Sequence, residues 1–196
     1  MRPRLLAHLA APMFLLIFFA GCQSVAPPQP KLMQDEVPAA ERDWQHVLAE
    51  RLPLYGHRNW IVIADSAYPA QSRDGIETIV TNADYFTVLE TVLNGLNQTQ
   101  HVKPIVYEDA ELKYVSPQDA PQVSTFRDRL ANILGNRVVQ VTPHEEVIAK
   151  LDKAGETFRI LILKTNLTIP YTSVFLQLDC AYWNADSEKR VRDAMK

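Results

Sequence analysis

Gly56-His57-Arg58-Asn59-Trp60-Ile61-Val62-Ile63-Ala64-Asp65-Ser66-Ala67-Tyr68-Pro69 is the stretch on which the fold turns. Its middle, Trp60 to Ala64, is a continuous apolar run, short and without polar alternation, which predicts a strand covered on both faces. Asp65 stands at the carboxyl end of that strand and opens a proline-containing loop. Upstream, Trp44, Val47, Leu48 and Leu52 recur at helical spacing. Pro53 ends that helix, because proline disfavours helical geometry in the residue before it. Tyr55-Gly56-His57 then turns the chain into the strand.

Working outward, strands and helices alternate. Ile76 to Thr81 reads as a second strand, and Asp84 to Gln98 as a helix with Phe86, Leu89, Val92 (or Leu93) and Leu96 facing inward. Val102 to Tyr107 is predicted to be an edge strand, since Pro104 cannot donate to a ladder. A helix over Ser124 to Leu134 and a strand over Arg137 to Val141 follow. Thr142-Pro143-His144-Glu145 opens another helix, with Thr142 as N-cap, Pro143 at N1 and Glu145 completing a capping box. Phe158 to Leu163 and Val174 to Ala181 are two more buried strands, and Ser187 to Met195 a terminal helix. The expected fold is a single α/β domain over residues 41–196, a three-layer sandwich with a largely parallel or mixed central sheet.

Composition narrows the function. Of 196 residues, 47% are hydrophobic and 22% charged, as in an ordinary globular chain. A net charge of −3 argues against nucleic acid, whose binders carry a basic surface. A mean hydropathy of −0.14 excludes a polytopic membrane protein, and two cysteines cannot form a disulfide framework. No GxGxxG, Walker loop or HExxH occurs, so nucleotide and zinc-protease chemistry lack a motif.

Residues 1–22 read as a secretory signal, with Arg2 and Arg4 ahead of an apolar run. Phe19-Ala20-Gly21-Cys22 resembles the bacterial lipobox, with Phe19 where leucine is usual, and implies lipidation of Cys22. Two or more acyl chains anchor a protein firmly without any spanning helix. Pro27, Pro28, Pro30 and Pro38 mark residues 23–40 as a proline-rich tether. The expected location is outside the cytoplasm, on a membrane, with the domain facing the periplasm or the cell exterior. Cys180, in an apolar run, reads as a small core residue.

In an open α/β sheet, function gathers at the carboxyl ends of strands and at helix N-termini. Asp65 and His144 occupy such places. A neutral imidazole at a helix start can take or give a proton near neutral pH. His57, eight residues before Asp65, can form a carboxylate–imidazole pair with it. No metal-ligand spacing joins His57, Asp65 and His144, so no metal is expected. Trp44, Trp60 and Trp183 read as packing residues, and Glu108-Asp109-Ala110-Glu111 as a solvated turn.

Gly56-His57 through Asp65 to Pro69, His144-Glu145, and Ile169-Pro170-Tyr171-Thr172-Ser173 together resemble the ribose pyranase / fucose mutarotase family across residues 42–181. The resemblance implies a cofactor-free isomerase that interconverts anomers, or pyranose and furanose forms, of a monosaccharide. It implies His57 as principal acid/base with Asp65 as its orienting partner, and His144 and Tyr171 holding sugar hydroxyls or relaying protons. It further implies a homo-oligomeric ring, commonly a decamer, with pockets completed by a neighbouring chain. Ser173 stands where the family has asparagine, Gln71 where the fucose branch has a loop histidine, and Gly75-Ile76-Glu77 lacks the family's arginine. Ser173 and Gln71 are accordingly expected among the substrate-binding residues. The alternative expectation is a lipoprotein that kept the fold and only binds a monosaccharide or builds an oligomer.

Overall fold

Burial on both faces is what organises the chain around Trp60–Ala64. The computed structural model describes residues 43–196; the expected signal peptide, Cys22 and the expected tether lie outside the described residues. Strand β1 (Trp60–Ala64) is buried throughout and sits inside a six-stranded sheet. The other strands are β2 (Ile76–Val80), β3 (Val102–Asp109), β4 (Val139–Thr142), β5 (Ile160–Lys164) and β6 (Val174–Cys180). Their order is β2-β5-β1-β6-β3-β4. Pairing is parallel for β2/β5, β5/β1 and β3/β4, and antiparallel where β6 joins β1 to β3. The sheet is therefore mixed, within the range the sequence predicts.

Alternate side chains of the strands feed two cores, as the two-residue period of a strand requires. Ile61, Ile63, Leu161, Leu163, Val174, Leu176 and Leu178 pack with helices α1 (Trp44–Arg51), α2 (Tyr85–Asn97) and α3 (Val123–Leu134). Trp60, Val62, Ala64, Tyr107, Ile160, Ile162 and Phe175 pack against Val147 and Leu151 of α4 (His144–Gly155). Three helices thus cover one face and one covers the other. The terminal α5 (Ala185–Ala194) buries no side chain, and Trp183 beside it donates its indole N–H to Glu188 at 2.9 Å.

Local chemistry accounts for the elements. Asp84 caps α2, accepting from the Phe86 and Thr87 amides at 3.1 Å, and both Val92 and Leu93 are buried along with Phe86, Leu89 and Leu96. The edge expected at β3 is half realised. Its strand runs on to Asp109 between β6 and β4, but β4 pairs only with Val106–Asp109. Pro104 lies in the half that β4 leaves open, where a missing N–H costs nothing. Gly75, ahead of β2, permits a close approach: a Cβ there would lie 2.2 Å from the Gly155 carbonyl oxygen and 2.6 Å from that of Phe158. No helix among the described residues is long and apolar enough to cross a membrane.

Candidate functional site

Strand register brings one set of polar residues to a single end of the sheet. Val174, the first residue of β6, pairs with Ile63 on one side and Glu108 on the other. Asp65 after β1, Asp109 at the end of β3 and Ser173 before β6 are therefore neighbours across the sheet. Asp109 also pairs with Thr142, the last residue of β4, so His144 at the start of α4 comes over it.

The His144 ring places Nδ1 3.0 Å from Asp109 Oδ1. The imidazole side chain is 25% exposed, whereas the Asp109 side chain is fully buried. When the Asp109 carboxyl is ionised it can only accept, so the contact then runs through a hydrogen on Nδ1 and leaves Nε2 free to accept a proton. Burial pushes the Asp109 carboxyl up to about 6, against the pull of His144 and with a further push from Glu111 and Asp65. Burial and then the Asp109 charge also raise Glu108.

The start of α4 departs from the expected capping box. Pro143 takes the N-cap position with no side-chain cap, and Thr142 Oγ1 donates to the Gln140 carbonyl at 3.5 Å. The open donor is satisfied across the fold instead. The His144 backbone N–H donates to both carboxylate oxygens of Glu111, at 3.1 and 3.0 Å. The acidic cluster is thus no solvated turn: Asp109 is 2% exposed and Glu111 grips the helix start. β3 continues for two residues past Tyr107, and its alternation turns Ile105, Tyr107 and Asp109 to the α4 face.

Tyr171 meets the His144 ring edge to face, with centroids 5.7 Å apart and planes at 83°. Its backbone holds φ at 57°, an uncommon left-handed conformation for a residue bearing a Cβ. Buried Thr172 fixes it: Thr172 Oγ1 donates to the Ile169 carbonyl at 2.8 Å, and the Thr172 carbonyl accepts from the Tyr85 hydroxyl at 2.6 Å. The next residue, Ser173, is buried at 2% exposure, beneath the surface that Tyr171 presents.

Asp65 is half-buried and orders its own loop, its Oδ1 accepting from the Ala67 amide at 2.8 Å. That loop sends Tyr68 into the core under α4 and carries Gln71. Among the described residues, three buried side-chain atoms find no hydrogen-bond partner: Tyr68 OH, Gln71 Oε1 and Asp109 Oδ2. Each such atom costs about 1–3 kcal/mol of stability. Burial, with Asp109 and Asp65 adding to it, raises the Tyr68 phenol above its ordinary value. Sequence reasoning missed Asp109, Glu111 and Tyr68; the available signal for Asp109 was a carboxylate ending a strand, the same signal that found Asp65.

His57 is elsewhere. It lies exposed at the tip of a turn in which the Gly56 N–H donates to Asn59 Oδ1 at 2.8 Å and the Asn59 N–H to the Gly56 carbonyl at 3.2 Å. Arg58 and Asn59 add rungs to the far end of β6, through Arg58 N–H to Leu178 O and Leu178 N–H to Asn59 O, both 2.8 Å. At about 3.3 Å per strand residue, His57 and Asp65 sit roughly 20 Å apart at opposite ends of β1. The pair expected from their spacing does not form within one chain. Of the four residues expected to converge, Asp65, His144 and Tyr171 share one sheet end and His57 does not. No group of three or more His, Cys, Asp or Glu side chains able to hold a metal occurs among the described residues.

The mixed α/β sandwich thus gathers at one sheet end an imidazole, two carboxylates and a tyrosine, groups chemically able to exchange protons or bind polar ligands. The chain belongs to the RbsD / FucU transport protein family, whose sequence model matches residues 44–180. It is similar to Bacillus subtilis RbsD, solved in complex with D-ribose, at 20% identity and TM-score 0.50 over 68% of this chain and 91% of that one. It is also similar to the fucose mutarotase of Streptococcus pneumoniae, solved with L-fucose, at 18% identity and TM-score 0.45 over 72% and 94% of the two chains. No curated protein sequence matches the chain.

Proposed function

We propose that this protein binds a monosaccharide at the sheet end formed by Asp65, Asp109, His144 and Tyr171, and speeds the exchange of its ring forms. The observation that carries the reading is the His144 imidazole, backed by buried Asp109 and flanked by Tyr171. Family membership supports it, as does the ribose in the RbsD complex. Ring-form exchange is proton traffic alone. A base takes the anomeric hydroxyl proton while an acid protonates the ring oxygen, and the C1–ring-oxygen bond breaks to leave an open-chain carbonyl. The carbonyl turns, or a different hydroxyl attacks it, and the ring recloses with the protons returned. Such catalysis contributes about 10²–10⁴-fold, and the chemistry calls for no cofactor.

His57 enters from a second copy in this reading. Its exposed position on a braced turn suits it to reach the Asp65 end of a neighbour in a homo-oligomeric ring, decameric by the family resemblance. The domain works outside the cytoplasm, tethered by lipid on Cys22. Ser173 favours a second reading, sugar binding without catalysis, because its hydroxyl is buried where the family pattern offers a polar contact.

Residues 41–196 are to be examined by NMR saturation transfer between the anomers of ribose, fucose and common hexoses. Exchange above the uncatalysed rate, lost in His144→Ala, is expected; sugar binding without exchange moves the assignment to the second reading. His57→Ala and Asp65→Asn, each inactive alone, are to be dissociated and reassembled as a mixture. Recovery in roughly a quarter of the sites is expected if each site takes one residue from each of two copies. No recovery removes the shared pocket. Labelling with a radioactive fatty acid, lost in Cys22→Ser, tests the anchor.

A further inference from the structure

The first turn of α4 is held to the end of β3 by two carboxylates. Glu111 takes the His144 backbone N–H through both its oxygens, and Asp109 takes the ring through Nδ1. One acid therefore holds the His144 backbone and the other holds the ring by one of its nitrogens. Retaining a buried Asp109 whose Oδ2 has no partner costs stability, so packing alone does not account for it. An apolar residue of similar volume would fill that place at lower cost.

We infer that Asp109 and Glu111 are positioning residues for His144, Asp109 holding the imidazole with its hydrogen on Nδ1 so that Nε2 faces the bound sugar as the proton acceptor. The inference deepens the proposed reading and rests on it for the sugar, but its structural half stands apart from any ligand. The charged and titratable groups around Asp109 all belong to the same end of the molecule. They are His144 from α4, Asp65 after β1, Tyr68 from the following loop, Tyr85 from α2, and Glu108 and Glu111 on its own segment. Lys113 and Arg127 line a cavity of about 230 Å³ that also contains Glu108 and Asp109. Neither cation makes an ion pair with Asp109; among the described residues His144 is the side chain that hydrogen-bonds it. Asp109 does not touch substrate in this scheme; it acts through the imidazole.

The test uses residues 41–196 with ¹⁵N-labelled histidine and reads the His144 ring nitrogens as pH is varied, without sugar. The wild-type ring is expected to be in the Nδ1–H form at pH 8. Asp109→Asn is expected to move it toward the Nε2–H form that free imidazole prefers. Glu111→Gln is expected to leave the tautomer in place and move the His144 amide proton signal upfield, because the acceptor is no longer charged. In saturation transfer, Asp109→Asn is expected to lower kcat on the order of tenfold or more with KM little changed, and to alter the acid limb of the pH profile. An unchanged tautomer in folded Asp109→Asn overturns the positioning role. Should that variant not fold, a wild-type His144 ring found in the Nε2–H form at pH 8 overturns it equally. Wild-type protein with the expected tautomer but no ring-form exchange removes the catalytic reading and leaves the dyad intact, so the two failures are distinguishable.

Discussion

The two ends of the central sheet are built on opposite terms. At the end holding His57, charge is exposed and matched: Arg51 makes a two-pronged contact with Glu77 at 2.9 and 3.2 Å, and the Arg58 guanidinium lies 5.7 Å from the Phe158 ring centroid. Arg159 donates to the Asp74 carbonyl at 2.6 Å. At the other end the Asp109 carboxylate is fully buried, and Asp109 Oδ2, Tyr68 OH and Gln71 Oε1 have no hydrogen-bond partner; a left-handed φ does not separate the ends, since Arg58 holds 75° and Tyr171 57°. The first end is what stability selects. The second holds buried polar groups and a buried charge that cost free energy, the usual sign of a site shaped by something other than folding.

Four substitutions break or sharpen that contrast. The largest effect is expected at His144: His144→Ala should reduce ring-form exchange by about 10²-fold or more while changing stability little, read by saturation transfer and urea unfolding. A residual rate near wild type would strip the strand-end site of its function. Gly75→Ala, at the matched end, should cost about 3 kcal/mol in denaturant unfolding, because the new Cβ meets backbone carbonyls of Gly155 and Phe158 that cannot move aside. Exchange per folded molecule should stay unchanged.

Asp109→Asn should act on the pH dependence of stability. The folded-state value of about 6 lies above the ordinary 3.8, so Asp109's contribution is complete below about pH 4 and lost as pH rises through 6. That loss is on the order of 2–3 kcal/mol. Urea unfolding at pH 4, 5.5 and 7.5 should show the wild type falling relative to Asp109→Asn across this window; parallel profiles would mean that Asp109 is not burdened by burial. The smallest effect belongs to His57. His57→Ala should shift stability by less than about 0.5 kcal/mol, since its side chain is exposed. A marked loss of exchange in the same variant would tie the two ends together through a second copy.

How much of this was legible without coordinates differs by element. Strand β1 and helix α2 declare themselves because an apolar run or a 3.6-residue stripe is a local pattern with one economical burial. Asp65 and His144 are legible for a related reason, since strand ends and helix starts can be read from neighbouring residues. The chain's place in its family was carried by the same segments, Gly56 to Pro69 and His144 to Ser173. Asp109 was not legible. Three acids among four residues look like a solvated turn until β3 is seen to extend through them and turn alternate side chains toward α4. Ser173 looks available beside Tyr171, yet the strained turn exposes one and buries the other.

The amino-acid order by itself determined the alternation of strands and helices, the two-faced burial of β1 and the residue types able to move protons, because each follows from interactions within a few residues. The partnership of those residues was decided by tertiary structure alone. A strand sets residues about 3.3 Å apart for each step, so His57 and Asp65, close in sequence, stand at opposite ends of the sheet. Parallel pairing of β3 with β4 carries His144 back onto Asp109 across 35 positions, and no local pattern reports such a return.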